Sequence, residues 1–444
     1  MTIRIAIIGG GIAGLCLARG LSKYSSRSLV VTVYEATSKY LDIGGGLAFH
    51  GNAMRALALI DPELQAEYFR RATLSMLFYR AITPSIECIM TVNERDVEMA
   101  TQVLLGDRAA EDGKPLLLAE LGKAKGRKTV ARCDLLEGFL SLVPEGVVKI
   151  GKRLERIEEG PESKGFSLTF KDESVERADV IIGCDGVHSV VRKHLLGADH
   201  PATEPKGHDG WEWIGRNVPA EEVRELNPNL LTYVPIICGH GGYMNAIPTH
   251  FGKTLNVTVV RTSKQSKLGN GTTNENLQGD KPEQFAEEDF AHWTKDARDI
   301  LTLALRNPTF DWRLADHDHA PFYSRGNVCM IGDAAHATMP FNGQGAAQSI
   351  EDAAMLTALF EHVTELTDVE KALEVYDEMR RPRTQKVVEL SRAFGRMYGF
   401  TDEEVGDDLN EMRRRLGEGG KYTNEFDLEG MNEDAVRRFL EKQK

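Results

Sequence analysis

Residues 332 to 346 read Gly-Asp-Ala-Ala-His-Ala-Thr-Met-Pro-Phe-Asn-Gly-Gln-Gly-Ala. Phe322 to Ile331 is a strand-like lead-in, Asp333 stands at its end, and a helical pattern runs from Ala346 through Leu359. An acid at a strand end suits the hydroxyls of a ribose or ribityl chain. Unpaired backbone N–H groups at a helix start suit an anion. One short segment therefore has the means to hold a sugar-like chain and to stabilise a negatively charged ring beside it. An ordinary strand-loop-helix with structural glycines also fits this segment taken alone.

The N-terminus carries a second candidate. Ile3 to Ile8 is a short apolar run led by β-branched residues, followed by Gly9-Gly10-Gly11-Ile12-Ala13-Gly14 and an apolar helical pattern through Leu21. In the strand-turn-helix context of Gly-x-Gly-x-x-Gly, Gly9 permits the tight turn and Gly11 lets the backbone approach a pyrophosphate. Gly14 lets helix and strand pack closely. A second strand, Leu29 to Tyr34, ends at Glu35, 21 residues after Gly14, where a carboxylate accepts hydrogen bonds from an adenosine ribose. A third segment, Ala178 to Arg192, is a buried-strand pattern ending in Asp185-Gly186 before another helix, which suits a nucleotide crevice at the carboxyl edge of a parallel sheet.

These elements need a scaffold, and 444 residues suffice for two or three domains with substantial cores. A hydrophobic content of 41% and a charged content of 27% are those of an ordinary soluble protein. The net charge of −13 argues against nucleic-acid binding. The short basic runs Arg380-Arg381-Pro382-Arg383 and Arg413-Arg414-Arg415 sit among acids and read as solvated helix faces. The six cysteines (Cys16, Cys88, Cys133, Cys184, Cys238, Cys329) are scattered without a Cys-x-x-Cys, as expected of buried free thiols in a reducing compartment. The apolar start is broken by three glycines, so it is not read as a signal peptide. No stretch approaches the ~20 apolar residues of a membrane span. A cytoplasmic protein without membrane or nucleic-acid partners is the expectation, as monomer or homodimer.

Along the chain, residues 81 to 128 are mixed and become charged and loop-rich from Asp107 to Lys128. Arg132 to Leu136 opens a helix, and strands are expected at Val147 to Ile150 and Ser167 to Phe170. From about 205 to 310, aromatic and alternating segments (Trp211 to Val218, Tyr243 to Pro248, Leu255 to Arg261) read as a mostly antiparallel sheet. Residues 264 to 284 read as a polar surface loop, and the chain from about 401 as a charged, peripheral helical tail. The fold class is α/β: a discontinuous Rossmann-like domain built on a parallel sheet, an inserted mostly antiparallel domain and a helical C-terminal region. The expected division is 1–80, 129–200 and 311–375 for the first, 81–128 and 201–310 for the second, and 376–444 for the third.

The three glycine-acid motifs, in this order, resemble those of the single-component FAD-dependent aromatic hydroxylases, most closely the salicylate hydroxylase-like members. Further shared pieces are Ile43 to Leu47 followed by Asn52 to Leu57, Arg132 with Leu135, and Tyr376 to Arg383, so the resemblance covers roughly residues 1 to 395. It implies non-covalent FAD, transient NADH or NADPH, and hydroxylation of a small phenolic or hydroxybenzoate-type aromatic by O2 through a C4a-hydroperoxyflavin. It further implies that Gly9, Gly11, Ala13 and Gly14 bind the dinucleotide and that Glu35 holds the ribose. Gly45 and Gly46 would line the cofactor, Arg132 would meet the flavin side chain and pyrophosphate, and Asp333 the ribityl or pyrophosphate region. Gly343, Gly345 and Ala346 would offer N–H groups to the flavin ring. The Asp185-Gly186 segment would serve both FAD and the nicotinamide. A surface salt bridge is the plainer reading of Arg132 and of Arg192.

For the substrate, Arg216 is the candidate for a carboxylate or phenolate, and Tyr243 for a hydroxyl donor; each has the plainer reading of an edge-strand surface residue. The family's frequent aromatic-Pro at the floor of this sheet appears here as Ile247-Pro248, a departure that bears on both assignments. His336 is expected to make a structural hydrogen bond at its turn. His317 and His319, two apart, lack a third ligand in a recognisable pattern, so no metal site is expected. No second Gly-x-Gly-x-x-Gly unit is present: Gly239 to Gly242 and Gly269 to Gly271 lack the context. A dearomatising hydroxylase of a larger polyketide phenol is the main variant. Flavin-dependent halogenases carry Trp-x-Trp-x-Ile-Pro, whereas Trp211 to Arg216 fails at both final positions. A non-enzymatic FAD-binding protein would hold flavin without substrate-stimulated NAD(P)H oxidation.

Overall fold

The computed structural model describes residues 2–23, 29–39, 45–72, 98–111, 113–125, 127–160, 165–200, 211–231, 233–262, 287–308, 310–313 and 316–444. Ile3–Ile8 (β1) is buried at five of its six positions, as a strand covered on both faces requires. It leads through the glycine turn into Ile12–Ser22 (α1) and back through Leu29–Tyr34 (β2), in parallel register with Ile8 beside Tyr34. Gly46–Ala48 (β3), Gly51–Ile60 (α2) and Pro62–Arg71 (α3) follow. Asp61 starts α3 by accepting from Glu63 N, with Pro62 in the first turn, where its missing N–H costs nothing.

Glu98–Ala109 (β4) and Pro115–Lys125 (β5) then form a long antiparallel pair. This corrects the loop-rich reading of 107 to 128. Register shifts along the pair break the alternation of faces, which hides the period of two. Thr129–Ala131 (β6) pairs with β3, and Arg132–Leu142 (α4) and Val148–Lys149 (β7) return to the first sheet. Leu154–Glu159 (β8), Phe166–Phe170 (β9) and Val175–Ala178 (β10) make a small antiparallel sheet, and Val180–Gly183 (β11) lies parallel to β1 before Val190–Leu196 (α5).

Trp211–Pro219 (β12), Ala220–Leu226 (α6), Pro235–Gly239 (β13), Gly242–Thr249 (β14), Thr254–Thr262 (β15), Lys295–Leu305 (α7) and Phe310–Arg313 (β16) complete the insertion. Its seven-stranded sheet has the order β16-β12-β15-β14-β13-β4-β5 and is antiparallel except between β13 and β4. One face packs on α7 through Ile214, Val218, Met244, Val257 and Trp293; the other faces the dinucleotide half. Ser324–Arg325 (β17) and Val328–Met330 (β18) turn about Gly326, so the single strand expected from Phe322 to Ile331 is a tight hairpin. The first sheet then has the order β17-β18-β11-β1-β2-β7.

Asp333–His336 (α8), Gly345–Phe360 (α9), Leu366–Tyr398 (α10), Leu409–Asn424 (α11) and Leu428–Gln443 (α12) end the chain. The 33-residue α10 runs unbroken across residue 375, where a domain boundary was expected. The tail is also no mere periphery, because Leu428, Ala435 and Phe439 of α12 enter the same core as β1 and α9. In the Arg413–Arg415 run, Arg414 and Arg415 are a solvated face held by Glu411, Glu404 and Glu418, while Arg413 donates to Leu118 O of β5. Arg380 and Arg383 are fully buried, which overturns their reading as solvated. Pairing in the core needs acids from another helix, and α9 supplies them in Glu351 and Asp352.

Five cysteines are free thiols, and Cys88 lies outside the described residues, as do 264–284 and the Ile43-Gly44 part of the resemblance. No helix among the described residues is long and apolar enough to cross a membrane. At the β13–β14 turn, His240 lies 3.0 Å from Asp107 and 3.1 Å from Asp407, tying the sheet to the segment before α11. Its hydrogen bond to Asp107, aided by Asp407, raises its pKa above the usual value. The charged form is thus favoured by folding. That stabilisation is complete below about pH 6.5 and disappears as pH rises through the folded value. His240→Gln should therefore lower the melting midpoint at pH 6 more than at pH 8.5; an equal loss at both would contradict the pairing.

Candidate active site

The turn after β1 is shaped by close approaches. Gly9 has φ +106°, and a Cβ there would fall 2.3 Å from Cys184 O. A Cβ on Gly14 would lie 2.0 Å from Gly9 O, whereas one on Gly11 would meet only Arg132 Nη2, at 4.0 Å. The space over Gly11 is open, and α1 begins there with no side chain capping it. Its first N–H groups, including that of Ala13, are left for an anion. Arg132, the first residue of α4, points toward the same turn and makes no hydrogen bond among the described residues. Asp333 is exposed and lines the open cleft opposite.

The second loop repeats this logic. Gly343, exposed at φ +64°, closes a short turn, and a side chain there would meet nothing within 4 Å. α9 then starts with no side-chain cap, and Gly345 and Ala346 remain half-open to the cleft. Two uncapped helix starts, an arginine between them and an acid on the wall fit a flavin dinucleotide: diphosphate at one, flavin ring at the other, ribityl chain along Asp333.

Not every expected residue is free for the cofactor. Glu35 Oε2 accepts from Gly10 N at 2.7 Å, and Oε1 from Thr37 N and Oγ1, so this acid also braces the glycine turn. Both Asp185 oxygens are used to start α5, from Ser189 Oγ, Val190 N and Val191 N. Gly46 is small because Ile247 and Thr249 of β14 pack on it, with Gly45 beside Asn256. Arg192 is no surface salt bridge. It is buried and donates to the carbonyls of Ala334 and Ala335, pinning the short helix that carries Asp333, and burial lowers its pKa to about 10. His336 lies 2.6 Å from Asp352, which also accepts from Gly332 N, the structural bond expected of it. His317 is turned to Val187 O, and burial holds its pKa down at about 3; His319 lies near Glu389 instead.

The substrate wall is decided by strand parity. In β12, Trp211 and Trp213 face the dinucleotide half, while Ile214 and Val218 pack on the helix-covered side. Arg216 shares the parity of Ile214 and Val218, and its guanidinium is held by Glu222 at 2.8 and 2.9 Å. It does not reach the cleft, which corrects its assignment to substrate. Tyr243 does face the cleft side, but it is 2% exposed and its ring packs on Phe341 and Tyr398.

Two residues on, the same face presents Asn245, which sequence reasoning missed although its parity with Tyr243 and Ile247 was available. Tyr243 touches the second cofactor loop through Phe341, and Ile247 packs on Gly46 at the start of β3, so Asn245 stands between that loop and β3. Its Oδ1 is buried without a hydrogen-bond partner among the described residues. Trp213, Ile236 and Ile247 are apolar or aromatic half-buried residues of the same wall. The cleft-facing positions of β12, β14 and β15 carry no lysine or arginine.

A parallel dinucleotide sheet with two uncapped helix starts, facing a mostly antiparallel wall, fits an FAD-binding flavoprotein. A family model described as an FAD binding domain matches residues 142–391. The chain is 36% identical to the 6-methylsalicylate 1-monooxygenase of Aspergillus terreus, over 99% of its length and 93% of the relative's. It is 28% identical to the salicylate hydroxylase of Pseudomonas putida, over 91% and 88%. A solved salicylate hydroxylase substrate complex superposes with a TM-score of 0.76 at 26% identity, covering 98% of each chain. The chain belongs to the FAD-dependent aromatic monooxygenases of the salicylate hydroxylase type.

Proposed function

We propose that this enzyme consumes NADH or NADPH and O2 to insert one oxygen atom into a salicylate-type ring. The observation that carries the reading is Asn245, set on the cleft face between the Phe341 loop and Gly46 of β3, its amide oxygen without a partner among the described residues. Bound FAD supplies the electron transfer and oxygen activation, chemistry no side chain performs. Arg132 and the first turn of α1 would hold the diphosphate, and the start of α9 would favour negative charge at the flavin ring. Asn245 receives the phenol hydroxyl and orients the ring. Trp213, Ile236 and Ile247 keep the site dry.

The relative's name puts its oxygenation at ring position 1, the carbon that bears the carboxylate in a salicylate. The same position here would release CO2 and leave a diphenol. The test is NAD(P)H and O2 consumption by the purified FAD-loaded protein against salicylates, hydroxybenzoates and plain phenols, with products identified and carboxyl carbon traced. Absence of substrate-stimulated oxidation across the panel would sink the reading; a ring product that retains its carboxylate would remove position 1. Asn245→Ala should raise KM about tenfold, the loss of one hydrogen bond of about 1.4 kcal/mol, with FAD content unchanged. Arg216→Ala is the control and should leave KM as it is.

A further inference from the structure

We propose that Cys133, Asp134 and His250 form a zinc-type divalent-metal site where α4 meets the β14–β15 turn. Thiol, carboxylate and imidazole each offer one ligand atom, and these atoms all lie within 4.8 Å of one another. His250 Nδ1 is 3.0 Å from Asp134 Oδ2, and Cys133 Sγ is 3.9 Å from Asp134 Oδ1. Tetrahedral ligand bonds of about 2.0–2.3 Å set neighbouring donors about 3.3–3.8 Å apart, a spacing those two distances bracket. All three residues are half-buried, so an ion can enter and keep water in a fourth position.

The donor set selects the ion. A thiolate with an imidazole and one carboxylate suits zinc or cobalt and disfavours magnesium or calcium, which take oxygen ligands. Cys133 and Asp134 stand in the first turn of α4, where the helix field favours the thiolate that a metal requires. The charges then balance: the thiol proton leaves on binding, and two negative ligands face a doubly charged ion. His250 reaches this place through an uncommon turn, with φ +48° at His250, +58° at Phe251 and +73° at Gly252. Residues other than glycine rarely adopt that conformation, and here it turns the imidazole back onto α4.

An ion here would clamp the strand that carries Asn245 to the helix that begins with Arg132, joining substrate wall and cofactor half. The spacing of 133, 134 and 250 has no metal-motif pattern in sequence, so only folding brings the set together. The competing arrangement is an Asp134–His250 ion pair with the thiol as a mere donor.

Cobalt(II) titration of the reduced-thiol, FAD-loaded protein separates the two. The site predicts saturable binding of one equivalent, with thiolate-to-cobalt charge transfer and d–d absorption beyond the flavin bands, abolished by added zinc. Cys133→Ser should lose the charge-transfer band, and both it and His250→Gln should weaken binding at least about tenfold while retaining FAD. No saturable equivalent, or a Cys133→Ser protein that binds cobalt like the parent, overturns the proposal. The readout is independent of turnover and therefore of the substrate reading above.

Discussion

Arg380→Met will destabilise the protein by about 3–5 kcal/mol, the usual cost of breaking a buried ion pair. Arg380 lies wholly inside, 2.6 Å from Glu351 and 2.8 Å from Asp352, and donates to Gln348 Oε1 at 2.8 Å. Arg383 holds both oxygens of Glu351, and Asn52 adds a third donor. Methionine leaves two desolvated carboxylates with a single arginine. Asp352 also carries Gly332 N and His336, so its displacement reaches the flavin cradle. FAD content should fall together with stability.

The pH dependence has a definite sign. Burial by itself would raise both carboxyls, but the arginines, with His336 beside Asp352, more than offset it and hold both below the usual range. Groups depressed in this way contribute stability above their unfolded pKa, about 4, and lose it as pH falls through the folded value. Without Arg380 the two pKa values rise, so acid lability should begin at higher pH in the variant. Denaturation curves from pH 8 to 5, with flavin absorbance, would reveal this. Parental stability and full FAD content in Arg380→Met would refute the account.

Gly14→Ala and Gly11→Ala should fail in different ways. In Gly14→Ala the new methyl meets Gly9 O at 2.0 Å and Ile7 Cγ2 at 3.4 Å, so the strand-helix contact must open. The apoprotein itself should melt earlier, and FAD should be lost with it. Gly11 has φ −74° and ψ −167°, an ordinary conformation for alanine, with open space around it. Gly11→Ala should leave apoprotein stability untouched and weaken FAD by about 100-fold, some 2.7 kcal/mol, if the diphosphate approaches this turn as proposed. Calorimetry of both apoproteins and a fluorescence titration with FAD distinguish these outcomes. Equal FAD affinity in Gly11→Ala and parent would remove the diphosphate from that turn.

Features governed by short spacing were legible before folding. Gly14 packs on Gly9 within one turn, and Gly343 closes a loop of its own. The regular elements around them follow from apolar runs a few residues long. Features governed by a partner far along the chain were not. Arg380 and Arg383 look like any basic run until Glu351 and Asp352, about thirty residues earlier, are brought against them. β5 was hidden by its register shifts, and the hairpin about Gly326 by the apolar residues on both its arms.

The substrate wall marks the same limit. β12 carries apolar residues on both faces, Trp211 and Trp213 on one and Ile214 and Val218 on the other, so its pattern does not say which side meets the cofactor. Sequence by itself placed a dinucleotide-binding turn and a second glycine loop, local devices whose order along the chain resembles that of the FAD-dependent aromatic hydroxylases and so implied the cofactor. Tertiary structure alone decided that Arg216 turns to Glu222 and that Asn245 enters the cleft. A one-residue change of strand parity reverses every side chain on a sheet, and only the packing of the two halves settles that parity.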